Sequence, residues 1–453
     1  MQKNVYRLLL FCCLSGMAST AFAADLYVES TTMMRFFQDS RYGYTDKTYA
    51  PATQFLNVDL EKLADGNLSL HLSGWGRADL ADKSFGDKRH DHTNGYLTYG
   101  YLQYDCPKHD ARLRAGRLFV MEGIINEQVD GASLRTALPY GFGLSVFGGA
   151  TVHNADLYHE KTDGKGDAIY GGRVNYNYDN IVEVGFSGVY ETNVPHLVST
   201  GNRTLVADGK YGSRRLIGAD IWLSPFEQLE VMGQSSYNTE TSEFAEHNYR
   251  LNLRPMDKLT LSGEFSEYRD NSYFLSSVMF SRMYQGLNDK SRIYGASAYY
   301  SLTPQLDLTA DYRHYKREIG NADRFGADIS YRFDANKIRT GAAYHYLRAG
   351  SGFAVIPESN ASASFHELRG YVMRDAKKYI ASADAIAYVY KKKISGKRSA
   401  WEAICSLGYK FTPDLILSGD MSYGQSPEYK DDLKGLLRLS YNFSFSNILG
   451  GNR

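Results

Sequence analysis

Beyond its first two dozen positions, this 453-residue chain has no long apolar run. A helical membrane span needs about 20 consecutive apolar residues, and the one apolar stretch, residues 8–14, is far shorter. Cysteine is scarce. Cys12 and Cys13 lie at the start, and Cys106 and Cys405 are isolated and expected to stay unpaired, which excludes a disulfide scaffold. The Cys-x-x-Cys-His signature of haem attachment does not occur, so the chain is expected to bind no cofactor covalently. An excess of charge is missing as well, with 51 Lys and Arg against 51 Asp and Glu. That balance gives no electrostatic reason for a nucleic-acid partner.

The first residues have the three parts of an export signal. Lys3 and Arg7 make a basic start, residues 8–14 an apolar core, and Ala21-Phe22-Ala23 a small-x-small cleavage site. Residues 1–23 are therefore expected to be removed. The 51 basic side chains less Lys3 and Arg7 leave 49 against 51 acidic, a formal charge of −2.

What fills the rest is alternation. Leu306-Asp307-Leu308-Thr309-Ala310-Asp311-Tyr312-Arg313 and Leu415-Ile416-Leu417-Ser418-Gly419-Asp420 have period two, the signature of strands with one apolar and one polar face. Ten turns punctuate the pattern: Asp65-Gly66, Cys106-Pro107, Leu138-Pro139, Asp179-Asn180, Ser224-Pro225, Arg254-Pro255, Thr303-Pro304, Asp334-Ala335, Asp375-Ala376 and Thr412-Pro413. With a first strand near residues 26–36 and a last near 433–445, they predict about twenty-two strands. The expected fold class is all-β: a transmembrane antiparallel β-barrel with both termini periplasmic, spanning residues 24–445, with 446–453 a short periplasmic tail. Longer polar segments at 39–49, 81–93, 153–166, 191–212, 269–291, 348–362 and 391–399 are expected as outer loops.

The alternation also assigns faces. Leu68, Leu70, Leu72, Leu259, Leu261, Phe265, Leu306, Leu308 and Tyr312 are expected to face lipid. His71, Arg77, Asp79, Asp307, Asp311, Arg313, Arg332, Arg339 and Arg438 fall between such positions and are expected to line the lumen. So many charges in a dry core would cost several kcal/mol each unless paired, and a wet lumen removes that cost. Tyr96, Tyr99, Tyr101 and Tyr104, with Tyr344 and Tyr346, are expected near the headgroup zone, where amphipathic rings anchor a barrel.

Other constellations are weaker. Arg89-His90-Asp91-His92 has metal-ligand chemistry, but His-x-His in a polar loop is more commonly a solvated tip. Asp163-Gly164-Lys165-Gly166-Asp167 reads equally as a glycine-rich turn. No Ser-His-Asp arrangement or zinc spacing stands out, so no enzyme and no metal site is expected. Strand-like alternation begins within a few residues of Ala24, leaving no room for a plug domain ahead of the barrel.

From about residue 25 to 445 the chain resembles a Gram-negative outer-membrane porin-type barrel. The most specific piece is the final amphipathic strand, whose Leu437, Leu439, Tyr441, Phe443 and Phe445 match the signal that barrel-assembly machinery reads in that family. The chain departs from the pattern by continuing past Phe445. The resemblance implies an outer-membrane location, lipid and the assembly machinery as partners, and passive passage of small hydrophilic solutes. In size, strand number and lack of a plug it is also similar to the barrel component of porin–cytochrome electron conduits. That second resemblance implies a sheath around a multihaem cytochrome, the alternative function. An inward-folded loop, with 191–212 and 269–291 as the candidates, would favour the solute pore.

Overall fold

The computed structural model describes residues 24–38, 48–63, 66–80, 93–152, 167–200, 204–269, 290–317, 320–333, 335, 337–350, 364–427 and 431–446. The expected signal segment and nearly all of the expected tail lie outside these. So do most of the loops at 39–49, 81–93, 153–166, 269–291 and 348–362, and both weak metal candidates.

The described chain is one antiparallel sheet closed on itself. Each strand pairs with the next in sequence, and the first, Asp25–Gln38, pairs with both Pro51–Leu63 and the last, Asp432–Phe445. Closure runs in unbroken register from Leu26 opposite Phe445 to Phe37 opposite Lys434. Of twenty-three strands, the two-residue Thr48–Tyr49 only extends the same stave as Pro51–Leu63, which leaves a wall of twenty-two staves. Closure removes the edge of unpaired backbone groups that an open sheet would expose to lipid.

The reversals expected at the ten turns all fall at one end of the wall, where both ends of the barrel segment also lie, although Asp65 and Asp334 themselves are outside the described residues. The two Thr-Pro turns share a device. The Thr303 hydroxyl accepts from the N–H groups of Gln305 and Leu306 at 3.2 and 3.1 Å, and Thr412 does the same for Asp414 and Leu415 at 3.2 and 3.0 Å. Two turns differ in place. Pro225 and Pro255 lie inside strands, at the register shifts between Leu223 and Phe226 and between Leu253 and Met256. A residue without an N–H is accommodated at such an irregularity. The reversals themselves follow at 227–228 and 257–258.

Two expected loops are strand instead. Residues 191–200 and 204–212 continue the Val182–Thr200 and Thr204–Phe226 strands, whose pairing reaches Thr200 opposite Thr204. Residues 391–399 close as a tight hairpin between Tyr379–Ile394 and Lys397–Lys410. There Ser395 and Gly396 both have positive φ, 45° and 81°, the backbone that two-residue hairpins require. Polar composition hid both, because strands above a membrane have no lipid-facing side to make apolar.

The pleat sorts side chains as the alternation requires. On one face stand exposed Tyr312, Phe325, Ile329, Tyr331, Leu417, Leu437, Leu439, Tyr441 and Phe445. Cross-strand register keeps them together, as in Tyr312 opposite Phe325 and Leu417 opposite Leu439. An apolar band of this extent around a closed sheet exceeds any patch a soluble monomer leaves in water, and it fits hydrocarbon. The opposite, polar face is therefore the concave one.

Candidate functional site

One hairpin leaves the wall. Strands Ala111–Glu122 and Ile125–Ala137 pair with each other to their tip, Glu122 opposite Ile125. Their outer neighbours stop short: pairing with Thr93–Cys106 ends at Gly100 opposite Arg117, and pairing with Phe142–Thr151 ends at Val129 opposite Thr151. The segment between Arg117 and Val129 is thus joined to the strand ladder of the wall at its root only. At that root, Gly116 and Gly131 face each other. A Cβ on Gly116 would lie 2.2 Å from the Gly100 carbonyl oxygen, and one on Gly131 would lie 2.1 Å from that of Gly148. Only glycine permits these approaches.

The freed hairpin lies across the polar face. Leu118, Val120, Ile125 and Val129 pack on Phe147, Ile169, Val189, Leu216 and Ala245, contributed by five further strands. At the tip, the Ile124 N–H donates to Ser187 Oγ at 3.3 Å. Beneath Gly123, Arg173 bridges Asp220 and Glu183 at 2.5 and 2.8 Å. Tyr170, Phe186 and Ile217, on the other face of these same strands, remain exposed. The hairpin therefore occupies the inside of the barrel.

An ion triad fixes it there. Arg214 binds Glu127 of the hairpin and lies 3.1 Å from Glu191, which has no exposed surface. Arg214 and Glu191 are buried and Glu127 half-buried, and such charges are tolerable only together, since each compensates desolvation of another. On the other flank, Tyr96 Oη donates to Gln128 Oε1 at 3.2 Å, and Gln128 Nε2 donates to the Thr98 carbonyl at 2.5 Å. Between the hairpin and the wall lies a cavity of about 400 Å³.

The far arc of the polar face carries paired charges. Arg313 binds Glu264 at 2.7 Å, Arg332 binds Asp307 at 2.6 Å, and Arg324 binds Asp311 at 3.0 Å. His345 sits nearly buried among Asp311, Asp328 and Glu367, 3.4–3.8 Å away. Each of these arginines thus stands beside an acid on the same face.

The residues singled out from sequence distribute around this face. His71 bonds Asp59 at 2.6 Å, Arg77 lies over the Trp75 ring, and Asp79 accepts from the Ala50 N–H at 3.2 Å. Asp307, Asp311, Arg313 and Arg332 belong to the paired arc, with Arg339 directly opposite Arg332. Arg438 is 3.9 Å from Asp420 on the neighbouring strand. None of these nine lies on the hairpin. Leu437, Leu439, Tyr441, Phe443 and Phe445 share the opposite, apolar face. Cys106 and Cys405 are free.

The tyrosines divide. Tyr104 and Tyr344 are exposed on the apolar face, where rings belong at a membrane boundary. Tyr99 and Tyr101 instead lie opposite Ser73 and His71 on the polar face, with Tyr101 5.0 Å from the His71 ring. Tyr96 joins them through Gln128. A register shift between Ser73 and Gly74 separates Tyr96 from the odd-numbered pair, so simple counting misplaces it.

No protein-family model and no curated protein matches the chain. Solved structures do resemble it. The siderophore receptor PirA from Acinetobacter baumannii aligns at TM-score 0.57 and 11% identity, over 92% of this chain and 80% of that one. A mutant of the ferric enterobactin receptor PfeA from Pseudomonas aeruginosa aligns at TM-score 0.54 and 10% identity, over 92% and 80%. Pseudomonas aeruginosa OccK7 (OpdD) covers 94% of this chain and 99% of its own at 12% identity, with a TM-score of 0.41. The first two likenesses establish the fold: the chain is an all-β barrel of the outer-membrane type.

Proposed function

We propose that this barrel is a passive channel for small hydrophilic solutes, narrowed by the hairpin between Arg117 and Val129. Barrels of about 16–18 strands already leave an aqueous channel, and about 22 enclose a wider lumen that needs filling to be selective. The docked hairpin is the observation that carries the reading. It is held by its own apolar cluster and an ion triad, so the lumen is narrowed by the chain itself. His71, Arg77, Asp79, Asp307, Asp311, Arg313, Arg332, Arg339 and Arg438 form the wet wall in this reading. The end bearing the ten short turns faces the periplasm, and the final strand presents Leu437 to Phe445 to the assembly machinery.

The alternative, a sheath for a multihaem cytochrome, asks for an unobstructed bore. A hairpin lying across one side of the lumen supports the solute channel over the sheath.

The test is to purify the protein gently from its membrane, record the visible spectrum, and reconstitute it in a planar bilayer. A colourless protein that passes ions supports the channel. A haem Soret band at fixed stoichiometry, or a colourless protein that passes no current, overturns it.

A further inference from the structure

The cavity between hairpin and wall holds an unbalanced set of charges. Arg112 and Arg135 stand directly opposite each other on adjacent strands, with Ser145 directly opposite Arg135 in turn. Like charges so placed repel unless something between them carries the opposite sign. The acids at hand are already engaged. Asp105 accepts from Arg112 at 2.7 Å and from Gln103 at 2.9 Å, and Glu122 reaches Arg135 only at 3.7 Å. Arg114, two residues along the same face, bonds an amide, the Gln103 oxygen at 2.9 Å, and stacks 5.5 Å from the Tyr101 ring centre. Three guanidinium groups thus share two carboxylates.

Two further features point to a ligand. Ser145 is 8% exposed and lines the cavity, and among the described residues its buried hydroxyl has no hydrogen-bond partner. Leaving such a donor unsatisfied is unfavourable. Apart from Ser133, the rest of the lining is apolar or aromatic, with Tyr99, Tyr101, Phe119 and Phe147 among it. Planar guanidinium groups beside a hydroxyl suit a carboxylate, which accepts bidentate hydrogen bonds. The aromatic lining suits an apolar body behind it.

We propose that this cavity is a binding subsite for small organic anions, specifically a carboxylate on an apolar body. Arg114 and Arg135 meet the carboxylate, Ser145 donates to it, and the Tyr101, Phe119 and Phe147 side chains cover the apolar part. The role of the site in transport rests on the channel reading, whereas binding itself does not.

The test is titration calorimetry of the intact folded barrel in detergent, with benzoate as the probe and benzyl alcohol as its neutral counterpart. Benzoate is expected to bind saturably and benzyl alcohol far more weakly. Arg114→Gln and Arg135→Gln should each weaken benzoate about tenfold, equivalent to about 1.4 kcal/mol. The Arg135 side chain is 69% exposed, so that variant keeps the test available if Arg114→Gln does not fold. Equal binding of both probes, no binding of benzoate, or unchanged affinity in Arg135→Gln would overturn the subsite. Potassium chloride current through the same preparation in a bilayer tests the channel separately. Benzoate binding without current would leave the subsite standing and remove the channel.

Discussion

Gly116 and Gly131 face each other where the hairpin leaves the wall, and the backbone of the neighbouring strands fills the space a side chain would take. A methyl group at Gly131 would lie 2.1 Å from the Gly148 carbonyl oxygen and 2.6 Å from the Gly149 Cα. Both are backbone atoms, so the strands would have to part. Gly131→Ala is therefore expected to loosen the root and raise open-channel noise and mean conductance, measured on single channels in a bilayer.

Arg214 is the sole cation ion-paired to both Glu127 and Glu191 among the described residues. Arg214→Met should leave the buried Glu191 and the half-buried Glu127 without their cation and cost about 3 kcal/mol. Guanidinium unfolding in detergent would read this as a lowered midpoint. Adding Glu127→Gln and Glu191→Gln to the same protein should restore most of the loss, because the uncompensated charges are then gone.

Arg313 tests the far arc. Its side chain is 43% exposed and pairs with Glu264 at 2.7 Å, so its removal should change stability by only about 0–1 kcal/mol. The lumen wall loses one positive charge, however. In a potassium chloride gradient, Arg313→Gln is expected to move the reversal potential toward the potassium equilibrium value. Movement toward the chloride value would contradict the assigned face.

Phe445 is 55% exposed and lies opposite Leu26 at the seam where first and last strands meet. Phe445→Ala should leave the folded barrel nearly as stable in detergent while reducing severalfold the folded fraction recovered from cell membranes. Equal recovery would remove the terminal aromatic from the assembly signal.

Most of the wall was legible in the sequence because a membrane barrel imposes period two on nearly every stave. Turn chemistry then counted the strands, since Thr-Pro, Asp-Gly and Asp-Asn each have a local reason to reverse the chain. Pro225 and Pro255 misled by a few residues because bulges accommodate proline as turns do. The hairpin went unnoticed for a different reason. Up to Gly116 the apolar positions are odd, Ala111, Leu113 and Ala115, and after Arg117 the alternation gives way to four consecutive apolar residues, Leu118, Phe119, Val120 and Met121. That loss of alternation, with Gly116, Gly123 and Gly131 spaced along the segment, marks a strand that leaves the wall and packs against an interior surface. The Arg112–Arg135 opposition was hidden too, since cross-strand register is not written in either strand alone.

The most direct measurement is single-channel conductance of the intact protein beside a variant in which residues 119–128 are replaced by a short Gly-Ser connection. If the hairpin narrows the pore, both proteins conduct and the variant passes severalfold more current with weaker ion selectivity. Equal conductance in two folded proteins would place the constriction elsewhere and contradict the role assigned to the hairpin.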